Sequence, residues 1–340
     1  MGAATPVVTR VPLPRTLLRG AKRPQIALVG LPRTGKSTIF QVASSTAVES
    51  GVLDGSGLRF ETCQVNIGLE QAALVDLPPL RTIHDLGEAD RLLLAALLGG
   101  EPDKGKQDGG AGFKAPDLLI QVVDATALEP NLALAQELCQ IGKPFVIALN
   151  RLDEAREKGI YINIEALSDA LGVPVVPTVA HMGKGIAKVF ETALDLLRAK
   201  RCPLPQLPGG HLLRALAPLK LILDRPEVEA AFQVPRSLLL TQVARGDTWF
   251  AAEMTRQFPE LVPAVEAARA EAARSLPRPL AEEIFADRHY RAAVLHEQVT
   301  RLGHAAEKAG WKRGLDRLFL HPRWGLVGTL AVFALVLFMV

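Results

Sequence analysis

The chain has 340 residues, of which 49% are apolar and 22% charged, and this composition excludes a disordered or fibrous protein. A domain usually has about 100–200 residues, so the length suggests two domains and a further segment. The net charge is only +3, but residues 1–23 carry five basic side chains and no acidic one. We interpret them as a basic flexible tail. The tail has no interleaved aromatic residues and aromatic residues are only 5% of the chain, so we expect no nucleic-acid partner.

Between residues 24 and 200, short apolar runs alternate with helical stretches. Apolar strands that alternate with helices are typical of an α/β domain with a mostly parallel sheet. A segment rich in Gly, Lys, Asp and Pro at 99–115 interrupts the pattern and predicts a flexible surface insertion. The predicted strands are 25–29, 72–75, 118–123, 145–149 and 173–176.

The strand signals stop after Cys202, where prolines at 203, 205 and 208 mark a boundary. Residues 201–310 are predicted to form a small all-α domain. The last fifteen residues, 326–340, carry no charge. As a helix they would reach ~22 Å, short of the ~30 Å hydrocarbon core of a membrane. Because residues 311–325 are basic and contain tryptophan, we interpret 311–340 as a juxtamembrane segment that leads into a partial transmembrane helix.

A phosphate-binding loop follows the first predicted strand, since residues 30–37 read G-L-P-R-T-G-K-S and fit G-x-x-x-x-G-K-[ST]. The glycines let backbone N–H groups surround phosphates, and the helix that follows adds partial positive charge. We expect Lys36 to neutralise the β- and γ-phosphates and the Ser37 hydroxyl to ligate Mg²⁺. The predicted nucleotide-binding residues here are Gly30, Leu31, Pro32, Arg33, Thr34, Gly35, Lys36, Ser37 and Thr38.

A second motif indicates which base is bound. Asn150-Arg151-Leu152-Asp153 follows a predicted strand and fits the N-[KR]-x-D element of guanine-nucleotide proteins. Asn150, Arg151 and Asp153 are therefore predicted nucleotide-binding residues. The Asp153 carboxylate can accept hydrogen bonds from the guanine N1–H and amine, a donor pair that adenine lacks. We expect Asn150 to tie this loop to the phosphate loop. Val179 and Ala180 stand where GTPases place a backbone contact to the base, so GTP and GDP are the predicted ligands.

The motif that should sense the γ-phosphate is incomplete. Asp76 begins a D-x-x-P sequence after a predicted strand and is expected to hold Mg²⁺ through water. Pro79 replaces the glycine whose N–H should contact the γ-phosphate, and proline has no N–H. Neither Ser56 nor Thr62 lies in a recognisable switch context, and no catalytic residue is assigned. Nucleotide binding is therefore predicted, whereas GTP hydrolysis stays open.

Together these motifs resemble the bacterial ferrous-iron transporter B family, FeoB. The phosphate loop resembles the family's G-N-P-N-x-G-K-[ST]-T-L-F, and VDLPP at 75–79 resembles V-D-L-P-G. Residues 117–186 follow the family almost phrase by phrase, and 315–322 resemble the I-D-x-x-x-x-H-P that leads into its first membrane helix. The resemblance spans residues 24–340. It implies a G domain at 24–200 and a helical domain at 201–310, both on the cytoplasmic side of the bacterial inner membrane, followed by a permease for ferrous iron.

On this resemblance, the chain is a membrane-anchored GTP-binding domain whose nucleotide state acts on Fe(II) transport by a permease segment or partner subunit. Arg33 stands where the family's asparagine would help to coordinate an activating potassium ion, so potassium activation is not expected. Two alternatives stay open. One is a non-hydrolysing guanine-nucleotide sensor of a separate permease, which Pro79 favours. The other is a soluble ribosome-associated GTPase, which the apolar C-terminal segment opposes. Homo-oligomerisation is also open.

Overall fold

The computed structural model describes residues 23–52, 58–83, 88–98, 114–203, 206–303 and 338. Most strands lie before residue 200, and helices dominate after it. The strands are β1 (Gln25–Val29), β2 (Glu49–Val52), β3 (Arg59–Ile67), β4 (Glu70–Asp76), β5 (Leu118–Asp124), β6 (Phe145–Asn150), β7 (Ile160–Ile162), β8 (Val175–Pro177) and β9 (Thr300–Leu302). The helices are α1 (Lys36–Ala43), α2 (Glu88–Leu98), α3 (Leu128–Leu138), α4 (Leu152–Glu157), α5 (Ile164–Leu171), α6 (Ile186–Ala199), α7 (Gly210–Ala215), α8 (Ala217–Leu223), α9 (Pro226–Phe232), α10 (Arg236–Arg245), α11 (Thr248–Gln257), α12 (Val262–Ser275) and α13 (Leu280–Val299).

Seven strands form one sheet in the order β2-β3-β4-β1-β5-β6-β8. β1 pairs in parallel with β4 and β5, and β6 pairs in parallel with β5 and β8. The predicted α/β fold with a mostly parallel sheet is therefore confirmed. The antiparallel strands β2 and β3 were not among the predicted strands. β3 alternates buried and exposed residues, so it has no continuous apolar run of the kind that marks strands buried on both faces.

Alternate residues of β1 enter two separate apolar cores, one on each face of the sheet. Ile26 and Leu28 pack into a core that includes Phe40 of α1 and residues of α6. Ala27 and Val29 belong to the other core, which includes α3 and continues into helices α7 to α13. Burial on both faces explains why β1 reads as an unbroken apolar run. The helices after residue 209 thus pack on the α3 side of the sheet.

β7 and β9 form a separate two-stranded antiparallel sheet, in which Tyr161 pairs with Arg301. Two further backbone bonds extend the pairing, from Asn163 N to Val299 O and from Gly303 N to Gly159 O, each 2.8 Å. The prediction that strands stop after Cys202 is therefore wrong at Thr300–Leu302. Three residues whose partners lie far away in the chain leave no local periodic signal.

Three predicted segments lie largely outside the described residues: the basic tail at 1–23, the insertion at 99–115 and the juxtamembrane segment at 311–340. In the described ranges, no helix is long and apolar enough to cross a membrane. The predicted partial transmembrane helix at 326–340 lies outside those ranges except for residue 338.

Candidate nucleotide-binding site

The phosphate loop connects the buried strand β1 to α1, and glycine is required at both of its ends. Gly30 has a φ of 154°, and a Cβ atom there would lie 2.7 Å from the carbonyl oxygen of Val122. Gly35 has a φ of 90°, and a Cβ atom there would clash with the side-chain amide of Asn150. Glycine is therefore needed at both positions, because the backbone has a positive φ there and passes close to β5 and β6.

The middle of the loop is a turn closed by its own threonine. Thr34 is buried, and its hydroxyl donates to the carbonyl oxygen of Leu31 at 3.0 Å. Pro32 and Arg33 are exposed at the tip. Arg33 adopts a φ of 65°, which costs a residue with a Cβ atom roughly 1–2 kcal/mol. The tip thus presents an exposed arginine, while Thr38 is half-buried in the first turn of α1.

Lys36, the first residue of α1, forms a buried ion pair with Asp76 at the end of β4. The Lys36 ammonium also donates to the carbonyl oxygen of Leu77. The Ser37 hydroxyl donates to Asp76 Oδ2 at 2.8 Å. The structure thus brings together the three side chains that the sequence connects with phosphate and Mg²⁺, because β4 lies directly beside β1.

The segment after Asp76 runs back along the phosphate loop. The N–H of Leu77 donates to Leu28 O at 3.4 Å, and the N–H of Leu80 donates to Gly30 O at 3.1 Å. Between them stand Pro78 and Pro79, which have no N–H to offer. Leu80 is fully buried, so the segment is anchored immediately after the prolines. We find no backbone donor at residue 79 for a γ-phosphate.

Two buried side chains from other elements hold residues 82–83, and a third pairs with one of them. Glu137 of α3 accepts a hydrogen bond from the Thr82 hydroxyl at 2.8 Å and another from the Ile83 N–H at 2.6 Å. Gln242 of α10 donates to the Ile83 carbonyl oxygen at 2.8 Å, and Arg288 of α13 forms an ion pair with Glu137. This network is not predicted from the sequence. A charged residue inside the apolar face of α3 is the signal that could have indicated Glu137.

Residues 150–153, the loop expected to bind the base and called the base loop, are joined to the phosphate loop by Asn150, as expected from the sequence. Its amide Nδ2 donates to Thr34 O at 2.9 Å, and its Oδ1 accepts from the Ala180 N–H at 2.9 Å. The N–H of Val179 donates to Lys184 O at 3.0 Å. Both N–H groups thus have acceptors within the protein, and a backbone contact from Val179 or Ala180 to a base stays a prediction.

Asp153, the last residue of the motif, lies in the first turn of α4, and one of its two carboxylate oxygens has no hydrogen bond in the part of the chain that the structure describes. Its Oδ1 is buried and has no hydrogen-bond partner among the described residues. Its Oδ2 lies 3.8 Å from Nε2 of His181. Arg151, which precedes α4, has a φ of 59° and donates from Nη1 to Asp124 Oδ2 at 3.0 Å. Thr178 Oγ1, at the end of β8, is also buried without a described partner.

These residues fit a guanine nucleotide with Mg²⁺. The buried Oδ1 of Asp153 lacks a described hydrogen-bond donor, and the N–H groups of guanine are donors that could satisfy it. The hydroxyl of Ser37 and the carboxylate of Asp76 are hard oxygen ligands of the kind that Mg²⁺ prefers, and Mg²⁺ sites of this kind take further oxygens from phosphate and water. In the described part of the chain, no three His, Cys, Asp or Glu side chains come together as a metal site.

A family model described as ferrous iron transport protein B matches residues 24–193, which is half of the chain. The Fe(2+) transporter FeoB of Escherichia coli K12 is 35% identical over 182 residues, which cover 52% of this chain and 22% of the transporter. A Porphyromonas gingivalis protein, a fusion of Fe(2+) transport protein A and Fe(2+) transporter FeoB, is 33% identical over 172 residues, or 51% of this chain and 19% of the fusion. The match thus spans about a fifth of these relatives.

Solved structures show the same fold. A GDP-bound mutant of S. thermophilus NFeoB superposes with a TM-score of 0.69 at 23% identity, and covers 82% of this chain and 100% of that one. The cytosolic domain of L. pneumophila FeoB gives a TM-score of 0.61 at 21% identity, and covers 82% of this chain and 99% of that one. Together with the family match over half its length, this shows that the chain belongs to the ferrous iron transport protein B family.

Proposed function

We propose that this chain binds GTP and GDP with Mg²⁺ and is the cytosolic nucleotide-binding part of a bacterial Fe(II) uptake system. The observation that carries the proposal is the buried, unpartnered Oδ1 of Asp153, three residues after Asn150. Because Asn150 is hydrogen-bonded to the phosphate loop, the acceptor for a guanine base and the cradle for its phosphates belong to one connected site. The family match argues against the ribosome-associated alternative.

Each group of the site has one task. Lys36 would supply positive charge to the β- and γ-phosphates. Its buried ion pair with the Asp76 carboxylate indicates that the site accommodates an anion next to the ammonium group. The Ser37 hydroxyl would ligate Mg²⁺, and Asp76 would hold the ion through water. Bound Mg²⁺ neutralises charge on the phosphates. Asn150 keeps the phosphate and base loops together, and Asp153 accepts hydrogen bonds from guanine.

The membrane connection is part of the same proposal. We place residues 24–200 in a G domain and 201–310 in a helical domain, with 311–340 leading to the inner membrane from the cytoplasmic side. The match covers only 22% of the E. coli transporter, and we propose that the iron path itself lies in a further segment or a partner subunit. Nucleotide state would then regulate that permease.

Guanine specificity is the direct test of this function. Calorimetric titration of the full chain with GDP and with ADP, both with Mg²⁺, should show at least a roughly 100-fold preference for GDP, because ADP leaves the Asp153 carboxylate unpaired. Lys36→Ala is the control. It should weaken the binding of both GDP and ADP, because it removes the positive charge at the phosphates. Equal affinities for GDP and ADP in the wild-type chain would refute the proposal.

A second candidate, the non-hydrolysing sensor, is favoured by Pro79. The segment that should follow the γ-phosphate lacks the N–H at residue 79 and is anchored at Leu80 and Ile83. Phosphate release from GTP by the full chain, compared with Lys36→Ala, separates the two candidates. Release above the Lys36→Ala background supports a slow GTPase, while release at that background supports the sensor.

Potassium should not accelerate the hydrolysis of GTP by this chain. Arg33 presents a fixed positive charge at the tip of the phosphate loop, where the family resemblance implies an asparagine that helps to coordinate the ion. We expect phosphate release in potassium and in sodium to agree within about twofold, since a guanidinium is always charged at neutral pH. Arg33→Asn is the matched variant and should gain a potassium response. Stimulation of the wild-type chain by potassium would contradict this expectation.

A further inference from the structure

Asp124 ends β5 level with Asn150 at the end of β6, since the two residues are register partners in the sheet. Its carboxylate is nearly buried, with a side-chain exposure of 12%. Oδ1 accepts hydrogen bonds from both the N–H and the hydroxyl of Thr126, each at 2.8 Å. These bonds fix the carboxylate on a rigid strand end, so Oδ2 has a defined position.

Oδ2 of Asp124 accepts from Arg151, the residue between Asn150 and α4. Arg151 adopts a left-handed φ of 59°, a conformation that a residue with a Cβ atom adopts only when its surroundings enforce it. Its carbonyl oxygen accepts the first backbone bond of α4, from Ala155 N at 3.0 Å. The turn at Arg151 therefore sets where α4 begins and which way its first residues point.

Asp153 is the second residue of α4, so its carboxylate direction depends on that turn. The Arg151 guanidinium also has Glu154 as a competing partner at 3.9 Å. While Asp124 binds the guanidinium, Asp153 Oδ1 stays without a partner. Without Asp124, the guanidinium would be left with carboxylates of α4 itself.

We infer that Asp124 is a positioning residue for guanine recognition, which acts through Arg151 to hold the turn that aims Asp153 at the base. The inference rests on the proposed guanine site. Asp124 and Arg151 need not contact the nucleotide. Their effect should appear in base selection, because the described side-chain contacts of Asp124 and Arg151 do not reach the phosphate loop.

The test compares GDP with inosine diphosphate, which has the same phosphates and the same N1–H but lacks the C2 amine. The ratio of the two dissociation constants measures how well Asp153 reaches that amine. In the full chain, we expect Asp124→Asn and Arg151→Met each to lower the preference for GDP over inosine diphosphate about fivefold. The double variant should lower this preference no further, since the two residues act as one unit. Arg151→Lys keeps the positive charge and should retain part of the preference.

Asp195→Asn is the matched control, because Asp195 pairs with Arg198 on the exposed surface of α6 and should leave the ratio unchanged. An unchanged ratio in both single variants, or additive losses in the double variant, would overturn the role of Asp124. Should Asp124→Asn fail to fold, Arg151→Met decides alone, since that side chain is about one-third exposed. A wild-type chain that binds GDP no better than inosine diphosphate would overturn the guanine site itself, which is a different failure.

Discussion

Replacing Asp153 by asparagine is expected to lower the affinity for GDP about 100-fold and to make xanthosine diphosphate the preferred ligand. The wild-type carboxylate is an acceptor only, and its Oδ1 is buried without a partner. Guanine offers two N–H donors to it. The amide of asparagine carries N–H donors in place of one carboxylate oxygen. It therefore cannot accept a hydrogen bond from the guanine amine, but it can donate one to the C2 carbonyl oxygen of xanthine. The loss is large because it includes a charge-assisted bond and leaves a buried polar group unpaired.

Competition of GDP and xanthosine diphosphate for a fluorescent guanine nucleotide measures this change. Asp169→Asn makes the same substitution on the exposed side of α5 and should leave both affinities as they are. The buried position of Asp153 Oδ1 and its place after Asn150 separate the two aspartates. If Asp153→Asn still selected GDP over xanthosine diphosphate, Asp153 would not be the residue that recognises the base.

Replacing Glu137 by alanine is expected to destabilise the fold by about 3–5 kcal/mol, since it leaves the buried Arg288 without its counter-ion. Both side chains are only 4% exposed. Burial, together with the smaller effect of the nearby positive charge of Arg291, lowers the pKa of Arg288 to about 10. Arg288 therefore stays charged at neutral pH and needs an anion. Alanine would also remove the acceptor for the Thr82 hydroxyl and the Ile83 N–H.

Urea unfolding of the full chain, followed by circular dichroism, would measure the free energy of unfolding. Glu191→Ala, which removes an exposed partner of Lys188 on α6, should cost no more than about 1 kcal/mol. Replacing Glu137 and Arg288 together by leucine should recover much of the loss, because no unpaired charge then stays buried. A Glu137→Ala variant as stable as Glu191→Ala would show that the ion pair does not hold residues 82–83 against α3 and α13.

Much of the sheet and of the phosphate site could be predicted because their signals are local. β1, β5 and β6 are buried on both faces and read as apolar runs, and residues 30–37 carry their chemistry in consecutive positions. β3 could not be predicted in the same way, since its residues alternate between the core and solvent. β9 depends on β7, about 140 residues earlier in the chain, and three residues contain no period of their own.

The sequence by itself determined the family, the fold of the nucleotide-binding half and the types of group at the site, since each depends on residues close together in the chain. Only the tertiary structure decided that Ile83 is held by Gln242, 159 residues away, and by Glu137, which is itself paired with Arg288. It also decided that Asp124 holds Arg151 while Asp153 Oδ1 is left unpartnered. Partners of this kind depend on which elements pack together, and one strand or helix does not encode the identity of its distant neighbours.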